Sequence, residues 1–154
     1  MTRKHTRRRV IVPLPPRGLR PKLGSDQLRD LAICHLQHLD AIACGDATVD
    51  TLWQVMAAAL TWSKVAELLG AGVPEITEQL QLCTSLVERF ERTGRVAFNG
   101  PEYQRAKAGV DVMDALAEAT DRHTAVIAAE WSEARVNQAE AAWRDRAGTE
   151  KATA

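Results

Sequence analysis

The first twenty-two residues contain no aspartate or glutamate, and no phenylalanine, tyrosine or tryptophan. The first absence leaves Arg3, Lys4, Arg7, Arg8, Arg9, Arg17, Arg20 and Lys22 unopposed. The second removes base stacking from whatever this segment does. A formal net charge of zero hides the arrangement, because these eight come from 20 Lys and Arg and leave 12 basic against 20 acidic residues from Leu23 onward. A segment of charge +8 precedes a body of charge −8. Such asymmetry predicts a polyanion-binding arm, or an arm that neutralises its own body or docks on an acidic protein.

Other absences narrow the class. No stretch approaches the roughly 18 uninterrupted apolar residues of a membrane span. Val10-Ile11-Val12-Pro13 is too short for a signal-peptide core. An organellar transit peptide would share the Arg-rich, acid-poor character, but Pro13, Pro15, Pro16 and Pro21 obstruct the amphipathic helix it needs. The three cysteines, Cys34, Cys44 and Cys83, are odd in number and lie inside helical patterns, which suits a reducing compartment. A cytoplasmic location without a membrane partner is expected. Arg outnumbers Lys 15 to 5 and Ala is abundant, a bias of GC-rich, bacterial coding.

Chemistry-bearing motifs are also missing. There is no Gly-x-Gly-x-x-Gly, no Gly-x-x-x-x-Gly-Lys, no His-Glu-x-x-His and no Gly-x-Ser-x-Gly. Histidine occurs only at positions 5, 35, 38 and 123. Periodicity places Glu88, Glu91, Asp111, Asp114, Glu118 and Asp121 on or beside solvated helix faces, with Glu88 and Arg92 as a surface pair four residues apart. Neither catalysis nor a cofactor is expected. Cys34 and His38 could face one ion from a helix edge, but a zinc site needs three or four convergent ligands and only two assemble locally. No metal is therefore expected, and His35, pointing into an apolar side, reads as a hydrogen-bonded core histidine.

What is present is helical patterning. After a charge run over 2–9 and a proline-punctuated stretch over 10–21, the spacing predicts a helix from Asp26 to Cys44, capped by Ser25 and stopped by Gly45. Leu28, Leu31, Ala32, His35, Leu39 and Ile42 form its buried side. A second helix, Val49 to Leu69, is apolar nearly all round, which predicts a central position. Pro74-Glu75 opens a third that Gly94 closes, with a seam of Ile76, Leu80, Cys83, Val87 and Phe90. Asn99-Gly100-Pro101 opens a fourth, with Tyr103, Ala106, Val110, Met113, Ala117 and Thr120 in step. A fifth runs from near Thr124 through Asp145 and carries two stripes. Ile127, Trp131, Ala134, Gln138 and Ala141 make one; Ala125, Ser132, Val136, Ala139 and Trp143 make the other, roughly 150° away. Either this helix is sandwiched within its own chain, or the second stripe meets another molecule, most simply a second copy.

Trp62 to Gly70, followed by Ile76, resembles the first half of a helix-turn-helix unit. Ala66 allows close approach and Gly70 makes the turn. A helical hairpin has the same signature, and Glu75 and Glu78 at the groove-reading end would repel phosphates. Pro13-Leu14-Pro15-Pro16-Arg17 reads as a stiff spacer or a polyproline segment for an aromatic groove.

These patterns predict an all-α fold of about five mostly antiparallel helices. The expected divisions are a disordered or extended basic arm over 1–24, a bundle over 25–147 and a frayed tail over 148–154. The expected function is that of a non-enzymatic accessory protein of a bacterial or mobile-element system. Arg3, Lys4, Arg7, Arg8, Arg9, Arg17, Arg20 and Lys22 would bind nucleic acid without sequence preference, with a salt slope of roughly −7 if all eight engage duplex DNA. Val136, Ala139 and Trp143 would form a protein or homo-oligomer interface. The alternatives are a pure interaction module and a helix-turn-helix-like regulator.

Overall fold

The computed structural model describes residues 20–153, with side chains as far as Arg146. Among the described residues there are five helices: α1 (Ser25–Ala43), α2 (Val49–Leu69), α3 (Val73–Thr93), α4 (Gly100–Ala119) and α5 (Arg122–Thr153). The fold is all-α. The one departure is an isolated antiparallel bridge between Lys22 and Asp121.

The helix boundaries follow from local chemistry. Thr48 caps α2 by accepting from the Thr51 amide at 3.2 Å, while Thr51 Oγ1 accepts from the Thr48 amide at 3.2 Å. Asn99 and Glu102 make the same reciprocal pair at the start of α4, at 2.8 and 2.9 Å. The cap of α1 is Gly24 rather than the expected Ser25, because Gln27 reaches back to accept from the Gly24 amide at 3.0 Å. Gly72, at φ +70°, sets the tight α2–α3 turn against α4, and a Cβ there would stand 3.1 Å from Val112 Cγ1. Past Asp145, where the spacing ended it, α5 continues to Thr153.

Pairing across the molecule defines a four-helix bundle with a fifth helix outside. His35 of α1 reaches Asp114 of α4 and Trp62 of α2; Arg89 of α3 reaches Glu102 of α4. Ile42 late in α1 packs with Leu52 early in α2, Val65 late in α2 with Ile76 early in α3, and Arg89 late in α3 reaches Glu102 early in α4, so α1 to α4 run alternately up and down. The ring closes through α1 and α4, whose seam is more extensive than that between α1 and α2. Helix α2 meets all four others, in keeping with its all-round apolar surface. Helix α5 packs chiefly on α2.

The core has two adjoining parts. Toward the α2–α3 turn, Val65 and Ala66 meet Ile76, Leu116 and Ala128; toward the other pole, Ile42, Leu52, Leu82, Leu86 and Val110 meet. Fully buried Ile76, Leu86 and Val65 each stabilise the fold by about 1.5–3 kcal/mol relative to exposure. Of the seam foreseen on α3, Ile76 and Cys83 are buried while Leu80, Val87 and Phe90 are half-buried. Gln79, Leu82 and Leu86 take the remaining interior places, because α3 is wedged between α2 and α4 and buries a face wider than one stripe.

Candidate functional site

The N-terminal segment joins the body at the α4–α5 junction. Pro21 accepts from the Arg122 amide at 2.9 Å, and Lys22 Nζ donates to the Ala119 carbonyl at 2.6 Å. A cation at the C-terminal end of α4 is also favoured by the helix dipole. Asp121 caps α5, accepting from the Thr124 amide at 2.9 Å and the Thr124 hydroxyl at 2.8 Å. Burial alone would push the Asp121 carboxyl up, but the two Thr124 donors, the Arg20 charge and the His123 amide outweigh it and hold it below the ordinary range. Of the eight cations assigned to nucleic acid, Arg20 and Lys22 thus bear on this junction. Arg3, Lys4, Arg7, Arg8, Arg9 and Arg17 lie outside the described residues, as does the proline segment.

A second constellation lies between α1 and α2. His35 is buried; it accepts from Trp62 Nε1 at Nε2 (3.0 Å) and so donates from Nδ1 to Asp114 (2.9 Å), which fixes the neutral Nδ1–H tautomer. Asp114, expected on a solvated face, is therefore half-buried in a hydrogen-bond chain. His38 Nε2 lies 3.1 Å from Gln54 Oε1 and 3.9 Å from Cys34 Sγ. Among the described residues no three His, Cys, Asp or Glu side chains converge to hold a metal ion. Because α1 leans toward α4, the α1–α2 seam opens into a groove of about 400 Å³ lined by Leu31, Cys34, His35, His38, Gln54, Ala57, Ala58, Thr61 and Trp62.

Acidic chemistry is otherwise structural. Arg89 donates through both terminal nitrogens to the Glu102 carboxylate and also to the Ala97 carbonyl, at 2.8 Å. The Arg89 hydrogen bond is the main reason the Glu102 carboxyl lies below its usual range; burial opposes it, and the Asn99 amide and the Arg89 and Arg105 charges assist. This pair takes the place of the expected Glu88–Arg92 contact, and Glu88 is exposed. Glu102 escaped the sequence reading, although the Asn99-x-x-Glu102 spacing is a capping-box signal. Burial pushes the Cys83 thiol up to about 12, which leaves it inert.

The remaining candidates are placed as follows. Residues 62–80 are the turn end of an antiparallel α2–α3 hairpin packed along its whole length, since Val65 meets Ile76 near the turn and Leu52 and Trp53 lie beside Val87 and Phe90 at the far end. A helix-turn-helix unit, crossing at about 90–120°, would part beyond the turn. On α5, Trp143 stacks edge-on against Trp53 of α2 with ring centroids 6.3 Å apart, and Ser132 shares a 2.6 Å hydrogen bond with Thr61. Val136 is half-buried on the same side and Ala139 is exposed. The stripe assigned to a partner thus faces α2, while Val126 and Ile127 lie 53% and 39% exposed.

The described body is a five-helix, all-α bundle, and none of its helices is long and apolar enough to cross a membrane. No protein-family model matches the chain, and neither a curated protein nor a solved structure matches it.

Proposed function

We propose that this chain is a non-enzymatic accessory protein of a bacterial or mobile-element system, binding nucleic acid through its N-terminal basic segment while the helical body associates with protein. The observation that carries this reading is charge segregation: all charged residues up to Lys22 are cations. The junction chemistry supports it. Glu102 already has Arg89, and Asp121 already has Thr124 and Arg20, so the body's buried carboxylates need nothing from the six cations before residue 20. If those six engage phosphates, duplex DNA would show a salt slope of roughly −5, and binding would carry little sequence information.

The test is a salt titration with a duplex of about two helical turns, comparing the full chain with one that lacks residues 1–18 and keeps Arg20 and Lys22 at the junction. The shortened chain is expected to lose most of its low-salt affinity and nearly all of its salt dependence. Equal affinity for the two chains would overturn the reading. A second reading, self-association through the outer face of α5, rests on the exposed Val126 and Ile127.

A further inference from the structure

The Cys34 and His38 pair on α1 gains a third donor from α2. The two residues stand four apart on one helix, so both project from the same edge of α1. Across the seam, Gln54 brings its side-chain carbonyl to the same ring nitrogen. His38 Nε2 lies 3.9 Å from Cys34 Sγ and 3.1 Å from Gln54 Oε1. An ion bound tetrahedrally at about 2.3 Å from a thiolate and about 2.0 Å from an imidazole sets those two atoms roughly 3.6 Å apart, and an oxygen ligand roughly 3.3 Å from the nitrogen. Both separations in the fold therefore come within a few tenths of an ångström of a shared ion. All three side chains line the α1–α2 groove, and no Lys or Arg lines it to repel a cation. Cys34 and Gln54 are exposed and His38 is half-buried, so an ion can reach them. His35 takes no part, because Trp62 and Asp114 hold both of its ring nitrogens.

We propose that Cys34, His38 and Gln54 form a three-donor site for a zinc-class divalent ion, with the fourth position open to the α1–α2 groove. The donor set selects the ion. A thiolate and an imidazole suit a borderline-soft metal, whereas Mg²⁺ and Ca²⁺ demand oxygen ligands in larger number. In the metal-free chain the His38 Nε2 hydrogen points to Gln54 Oε1, and the ion takes the place of that hydrogen. The ring proton moves to Nδ1, which frees the Nε2 lone pair, and the Cys34 thiol proton passes to solvent, one for each ion bound. Three protein ligands and one remaining place make the open form of zinc site rather than the closed structural form. The groove of about 400 Å³ gives that fourth place room for water.

The full chain, reduced and stripped of metal by chelation, is titrated with Co²⁺ as a spectroscopic stand-in, and zinc uptake is measured by equilibrium dialysis. One ion per chain is expected. A thiolate-to-cobalt charge-transfer band in the near ultraviolet should rise together with the strong visible bands of four-coordinate cobalt. Cys34→Ser is expected to abolish the charge-transfer band, whereas Cys44→Ser, at an exposed thiol that does not line the groove, keeps it. His38→Ala and Gln54→Ala should each weaken zinc by at least about tenfold, the loss that follows even from removing a ligand's outer partner. Cys34 and Gln54 are exposed, so their variants keep the fold, which circular dichroism checks. A charge-transfer band that survives Cys34→Ser or vanishes in Cys44→Ser, unchanged affinity in Gln54→Ala, half an ion per chain, or no uptake at all would each overturn the proposal.

Discussion

At the scale of single residues, Thr120 separates what burial does from what hydrogen bonding does. It is fully buried at the end of α4, and its hydroxyl oxygen has no partner among the described residues. Thr120→Val keeps the shape and deletes the unmet group, so it is expected to stabilise the fold by about 1 kcal/mol, read as a higher urea midpoint. A lower midpoint would mean that the hydroxyl is satisfied in solution. The burial of Thr120 was legible, because it ends the 103–120 stripe; its missing partner was not. His35 makes the same contrast. Its interior place follows from helical periodicity, whereas the bond to Asp114 depends on α1 closing the ring against α4, a contact across 79 residues that no local pattern encodes. Gln79 lies outside the α3 seam read from the sequence, and it is buried because α3 is wedged between α2 and α4, with Gly109 leaving room for its side chain.

At the scale of elements, caps and apolar seams carried α2, α3 and α4, since both signals lie within each helix. The central position of α2 was legible for a similar reason: a helix without a polar face has nowhere else to go. Helix α5 was harder. Two stripes were visible, but size decided which one turned inward: Ala128 and Ser132 let α5 approach α2 closely, and a hydroxyl pair with Thr61 completes the contact. Trp143→Glu would therefore injure the molecule's own Trp53 contact. Pairing of two chains is better tested by Ile127→Glu, on the outer stripe. Sedimentation is expected to show dissociation to monomer with helical content unchanged, and a parent protein that is already monomeric would exclude the pairing.

At the scale of the whole molecule, acid should loosen the bundle. The Glu102 and Asp121 carboxyls both titrate below their ordinary values in the folded chain. A depressed carboxyl contributes stability that is complete above its unfolded value and is lost as the pH falls through the folded one. Melting temperature should therefore be flat above about pH 5 and fall below about pH 4. Glu102→Gln should cost on the order of 2 kcal/mol at neutral pH and flatten the acid limb, as differential scanning calorimetry across pH would show. A parallel acid limb in that variant would place the sensitivity elsewhere. The junction of Pro21 and Lys22 with the α4–α5 corner has a geometric consequence. It sits at the pole of the α2–α3 turn, whereas α5 runs 32 residues toward the opposite pole, about 48 Å at 1.5 Å per residue. The N-terminal junction and the far tip of α5 therefore lie at opposite poles of the bundle.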